Sequence, residues 1–297
     1  MDTNYDIASA AARLTEISNT RISNMKDTVF AASVGTNAWP SGLEVKNMGD
    51  PPSLRLIATE DQDSVELVLS VQGILVAKAL PPITRPFGRK TKVAFLKQSV
   101  ELCGFGSPIF ENAISGIEQI DNRFRRSVND SDFEEHRLLK WDGKHRTLEL
   151  SNRYVTHAES TNGTTVVEVD RGIDPNGHLR ALMGRTHVRT EDNVVEFYGL
   201  ADEGTNTHIK IDPTAIKVGD IVEAQFSISS VFLGKRGGGK WRTVTTLRAV
   251  THLDGQFTEA AITTRKREEA ASKVTSSSDV ASLKRKVGYR GVNMDTV

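Results

Sequence analysis

Between Ile221 and Phe232 the chain alternates: Val222, Ala224, Phe226, Ile228 and Phe232 share one parity, while Glu223, Gln225, Ser227 and Ser229 share the other. Side chains of a strand point to opposite faces with period two, so this pattern predicts a strand with one buried and one wet face. Residues 5–33 follow another period. Ile7, Ala11, Leu14, Ile17 and Ile22 recur at roughly helical spacing in an Ala-rich stretch, which predicts an amphipathic helix. Residues 34–52 hold Pro40, Gly42, Gly49, Pro51 and Pro52 and read as a loop. Over 53–80, Val65, Leu67, Leu69 and Val71 keep period two before Ile74, Leu75 and Ala77 break it, so strand and helix both fit. Residues 93–128 read as two helical pieces around Gly104, Gly106 and Pro108.

Charge and pattern both change at NDSDFEE, residues 129–135. Beyond it, β-type runs at 146–157, 164–170, 194–200, 207–211, 219–233 and 241–253 alternate with Asn-Gly, Asp-Pro-Asn-Gly and Gly-rich breaks. No helix of the length needed for parallel crossovers separates the later runs, which favours a small antiparallel barrel or sandwich, an OB-like barrel being the preferred arrangement. The expected architecture is therefore α+β: a mainly helical region over 1–130, a β-rich, barrel-like domain over 131–256 and a mobile, basic, Ser-rich tail over 257–297.

Among the 297 residues, Lys plus Arg equal Asp plus Glu at 38 each, so net charge implies no polyanionic partner and only its distribution can. One cysteine, Cys103, excludes an intrachain disulfide and a multi-cysteine zinc site. Acidic residues near the N-terminus and the lack of an 18-residue apolar run predict an intracellular protein, nuclear or cytoplasmic, with no membrane partner.

The stretch GKRGGGKWRT at 234–243 places Gly234, Gly239 and Lys240 where a phosphate-binding loop needs them. Trp241 occupies the hydroxyl position, and an indole cannot ligate magnesium. The Thr- and Val-rich run behind it favours a strand over the helix that such a loop opens. The remaining reading is a hairpin with this segment at its tip. No acid lies between Glu223 and Asp254, whereas Lys235, Arg236, Lys240, Arg242 and Arg248 do, giving a basic finger with Trp241 at its base. Basic loops beside aromatic rings are what single-strand binders use; the competing reading makes Trp241 a core residue and the loop a solvated turn.

Two tail clusters, Arg265, Lys266, Arg267 and Lys284, Arg285, Lys286, add charge in the loose form of a two-part nuclear import signal. The segment PPITRPFGRKTK, residues 81–92, is a proline-broken basic loop with Arg85, Arg89, Lys90 and Lys92 and no acid. The seven histidines form no metal motif, Ser107 in GFGSP lacks the second glycine of a hydrolase elbow, and Cys103 reads as a buried apolar residue. These observations point to no catalytic residue, metal or cofactor.

The stretches DPNGHLRALMG (174–184), VRTEDNVVEFYG (188–199), VGDIVEAQFS (218–227), LRAVTHLDGQFTEAA (247–261) and LKRKVGY (283–289) resemble an expanded family of uncharacterised proteins of mushroom-forming basidiomycete fungi. The resemblance spans about residues 145–290 and implies no activity or site residue. The function expected from the residues is non-catalytic binding of nucleic acid, single-stranded or duplex, through the finger and the tail. The alternative is a self-associating or protein-binding scaffold module.

Overall fold

A computed structural model describes residues 1–36, 39, 42–49, 52–60, 63–128, 132–134, 138–161, 163–201, 207–234 and 238–277. Helix α1 (Ile7–Asn24), strand β1 (Val29–Phe30) and helix α2 (Ala31–Thr36) lead into β2 (Leu43–Met48), β3 (Ser53–Glu60), β4 (Asp63–Glu66) and β5 (Val68–Ala79). Strand β6 (Lys97–Cys103) and helix α3 (Pro108–Ser127) follow, then β7 (Leu139–Asp142), β8 (His145–Arg153) and the short β9 (Thr156–His157). The remainder comprises α4 (His178–Met183), β10 (His187–Val188), β11 (Glu196–Leu200), β12 (His208–Lys210), β13 (Ile221–Phe232), β14 (Trp241–Asp254) and α5 (Gln256–Ser277).

Twelve of the described strands form one sheet whose main path runs β12-β11-β14-β13-β5-β6-β8-β7. Strand β13 organises it. Ile221–Ser227 pair with β5, and Ser229–Val231 pair with β3, which carries β2 and β4 on its own edges. The expected barrel is not closed. The sheet curls until β8 approaches β14, yet side chains bridge the seam: Asn152 Nδ2 donates to Leu247 O at 3.0 Å and Thr245 Oγ1 to Glu149 O at 3.3 Å. Beyond that seam, Glu196–Gly199 of β11 run parallel to Ala249–His252 of β14 and extend the sheet outward.

The inner face packs Val222, Ala224, Phe226 and Ile228 against Phe110, Ile114, Ile117 and Phe124 of α3. Contact at the head of that helix is close: a Cβ on Gly104 would stand 2.4 Å from Phe110 Cβ, so only glycine fits the turn before it. Pro108 opens the helix, where its missing N–H costs nothing. On the outer face, Tyr5, Ala10 and Leu14 of the N-terminal segment meet Ile74, Ile221 and Ala261.

The outer face of β13 is therefore not the wet face its alternation predicts. Glu223 is only 1% exposed and Ser227 is buried as well. Arg21 of α1 descends on Glu223 with Nε to Oε2 at 2.8 Å and Nη2 to Oε1 at 2.9 Å, and Gln72 of β5 adds a third donor. Such a pair satisfies the charge that the helix covers.

Other expectations change too. Residues 93–103 are not helical beyond the single turn Val93–Phe95, because Gln98, Val100 and Leu102 point inward with period two and form β6. The ambiguous stretch 53–80 resolves into β3, β4 and β5. Residues 164–170 make only an isolated bridge, Val166 to Thr190. The region 1–130 is mixed rather than mainly helical, and its β5 and β6 pair with β13 and β8 in the same sheet, so residue 131 marks a change of composition within one shared core. Residues 257–277 of the expected mobile tail belong to the helix α5, anchored by Phe257 and Ala261; the remainder of that tail, 278–297, lies outside the described residues.

Removing Arg21 leaves a buried carboxylate unpaired. Arg21→Ala is expected to lower unfolding stability by about 3–5 kcal/mol, whereas the apolar pair Arg21→Met with Glu223→Leu recovers most of that loss. Urea denaturation of the two variants beside the parent chain measures both effects.

Candidate nucleic-acid interface

The hairpin predicted for 219–253 is present. Phe232 faces Trp241 across the β13–β14 ladder, Leu233 N donates to Lys240 O at 2.9 Å, and Gly239 N to Gly234 O at 2.8 Å. Gly234, Gly238 and Gly239 adopt φ of 60°, 76° and 70°, the left-handed conformations that the turn requires. Lys235 and Arg236 fall outside the described residues.

At the base of the hairpin the expected stacking surface is absent. Trp241 is 8% exposed and packs in the main core, its ring 5.5 Å from that of Phe232. Residues 133–134 pair with its backbone: Phe133, itself a core residue, bridges to Trp241, and Glu134 N donates to Trp241 O at 2.8 Å. A buried indole offers no face to a base in this conformation.

The charge of the finger is also less free than its sequence implies. Glu134 accepts from Arg242 at 2.6 and 2.7 Å. Arg248 reaches Glu66 at 3.3 Å and Asp192 at 3.5 Å. Acids remote in sequence thus converge on a stretch that contains none. Lys240 is exposed. On α5, Arg265 pairs with Asp2 at 2.8 Å, while Lys266 and Arg267 are exposed; Lys284, Arg285 and Lys286 lie outside the described residues.

A stronger cationic surface lies elsewhere. No Asp or Glu occurs between Glu66 and Glu101, and the exposed part of that stretch carries Arg85, Arg89, Lys90, Lys92 and Lys97. The segment is held from beneath. Ile83, Phe87, Val93 and Leu96 pack with Tyr154, Val155, Val169 and Leu179 in a satellite core, and Ile83 N donates to Ile173 O at 2.8 Å. Phe95 N donates to Lys92 O at 3.0 Å and Leu96 N to Val93 O at 3.0 Å, closing one tight turn.

That turn sends Val93 and Leu96 inward and Phe95 outward, where the ring is 71% exposed. Burial on both sides fixes the backbone from which the ring projects. Next to it, Lys97 and Arg153 are cross-strand partners on β6 and β8. Glu149 accepts from both Lys97 and Lys140, and those two ammonium groups hold its carboxyl below the ordinary carboxylate range. Arg85, Arg89, Lys90, Lys92 and Arg153 have no ion-pair partner among the described residues. A second outward ring, Trp141 on β7, is 66% exposed beside Arg146, whose guanidinium is taken up by Glu111 and Glu118 of α3.

The basic loop is visible in the sequence, but its aromatic member is not. Val93, Phe95 and Leu96 look alike as apolar residues, and only the single turn separates one outward ring from two anchors.

The cleft between α1 and the start of α5, about 630 Å³, is lined by polar side chains that contact one another. Arg13 meets Asp254 at 3.2 Å, His252 meets Asp220 at 3.3 Å and Lys217 meets Glu259 at 3.8 Å. Cys103 is buried, and burial pushes its thiol up from the ordinary range. Ser107 is buried with its hydroxyl 2.8 Å from Thr15 Oγ1. Among the described residues no three of His, Cys, Asp and Glu are grouped to hold a metal ion, and no helix is long and apolar enough to cross a membrane.

No family model and no curated protein sequence matches the chain. Among solved structures it is similar to gp2.5, a single-stranded DNA-binding protein encoded by bacteriophage T7, at 9% identity and a TM-score of 0.39, over 64% of this chain and 87% of that one. It is also similar to the single-stranded DNA-binding protein of bacteriophage Enc34 in complex with ssDNA, at 10% identity and a TM-score of 0.32, over 72% of this chain and 97% of that one. Scores this low carry neither fold name nor ligand across.

Burial of Trp241 sets a clear expectation. Trp241→Ala is expected to cost about 3–5 kcal/mol of stability, as large-to-small core changes do, while Trp241→Phe retains most of the fold. Guanidinium unfolding curves of the two variants test this.

Proposed function

We propose that the protein binds single-stranded nucleic acid without catalysis, using the segment 85–97 as its principal contact. The observation that carries this reading is Phe95, 71% exposed on a fixed turn within a run of cations whose sequence neighbours include no acid. Cations attract the phosphates and release their counterions, and an outward ring supplies a face on which an unpaired base stacks. Duplex bases are already stacked on one another, so the ring favours single strands. Arg85, Arg89, Lys90, Lys92 and Arg153 are the phosphate contacts of this reading. Lys235, Arg236 and Lys240 of the hairpin, with Lys266 and Arg267 of α5, extend the same attraction.

Fluorescence anisotropy with labelled single- and double-stranded oligonucleotides across a salt series tests it. Stacking is worth about 1–3 kcal/mol per base, so Phe95→Ala is expected to weaken single-strand binding roughly 5- to 150-fold. Lys90→Gln and Lys92→Gln are each expected to reduce the log–log salt slope by about 0.7. Absence of salt-dependent binding at low ionic strength would refute the reading and leave the scaffold module in its place. Binding that is indifferent to Phe95→Ala would remove the stacking contact from it.

A further inference from the structure

Strands β9 and β10 form a ladder of two residues each, separate from the main sheet. His157 and His187 stand directly opposite one another in it. Because Ala158 N donates to Thr186 O at 2.9 Å, the neighbouring His157/His187 pair is a non-hydrogen-bonded one, the position at which antiparallel side chains come closest.

Their ring centroids lie 5.2 Å apart with the planes at 80°. Two imidazoles that share one tetrahedral ion through nitrogens ~2.1 Å from it have centroids roughly 5 Å apart. The observed separation is of the size that a shared ion needs. Each ring has a polar neighbour at Nδ1. Thr186 Oγ1 lies 2.9 Å from His187 Nδ1, and the Glu159 carboxylate lies 3.8 Å from His157 Nδ1. Nε2 of each ring is the nitrogen left to ligate.

We propose that His157 and His187 form a two-histidine chelate for a late first-row divalent cation of the Zn²⁺, Cu²⁺ or Ni²⁺ type, with water completing the shell. Imidazole suits these ions, and Glu159 and Thr186 are positioning residues. The Glu159 amide donates to His157 Nδ1 at 3.4 Å, a contact that ligation through Nε2 would replace with a proton on Nδ1 toward the Glu159 carboxylate. His157 is 45% exposed on its side chain, so an ion has access. The consequence is a clamp on a ladder too short to be firm alone, adjacent to Tyr154, whose amide donates to Leu96 O at 3.1 Å.

Isothermal titration of the full chain with Zn²⁺ tests the chelate, with His157→Ala, His187→Ala, Glu159→Gln and, as a control, His145→Ala. One saturable site is expected in the parent chain and in the control. Each histidine substitution is expected to weaken it at least tenfold, and Glu159→Gln about tenfold, the scale of lost support for a ligand. Zn²⁺ is expected to raise the melting temperature of the parent and the control but not of the two site variants, whose metal-free melting temperatures remain those of the parent. No saturable site would overturn the proposal. So would a single histidine variant that keeps the parent affinity at half the stoichiometry, since that means two independent rings.

Discussion

Glu223 is the residue on which the arrangement turns. It is an ionisable side chain in the middle of β13, the strand that joins the β2–β4 meander, β5 and β14 into one sheet, and both faces of that strand are covered. Taking a carboxylate out of water is costly unless a cation and further donors meet it. Arg21 and Gln72 do so, and Arg21 Nη2 also lies 3.4 Å from His208 Nε2 of β12. One buried cluster therefore ties the N-terminal helix, the central strands and the edge strand of the sheet to a single register. With α1 fixed in this way, α2 and α3 fill the inner face and the outer face closes over Ile74 and Ile221.

The same burial explains what was and was not legible in the sequence. Period two in 221–232 predicts the strand and its inner face correctly, because Val222, Ala224, Phe226 and Ile228 are all core residues. It misassigns the outer face, because alternation reports polarity and a polar residue can be buried when its partner comes from elsewhere. Nothing local to Glu223 announces Arg21, some two hundred positions away. Residues 93–103 fail for another reason: a single helical turn followed by a strand leaves too few residues of either period to be read, whereas the 20-residue α3 behind it is long enough to show its stripe.

Charge followed the same rule at the candidate site. The hairpin contains no acid between Glu223 and Asp254, but Glu134, Glu66 and Asp192 arrive through the fold and occupy Arg242 and Arg248. Of the two readings open for Trp241, a stacking ring at the base of a finger and a core residue, the fold bears out the second. The turn itself was legible because glycine conformations are a local property. By contrast, the basic stretch 85–97 lies on a satellite core whose anchors come from the same segment and from 154–179, and its cations keep their exposure. A surface for polyanions is made by what fails to reach it as much as by the cations it carries.

Ultraviolet cross-linking of the full chain to an oligothymidine, followed by mass mapping of the adducts, tests this account most directly, since it reads which ring touches a base. The account predicts adducts on Phe95 and none on Trp241, which is only 8% exposed. Adducts confined to the 234–243 hairpin, with Phe95 unmodified, would contradict it.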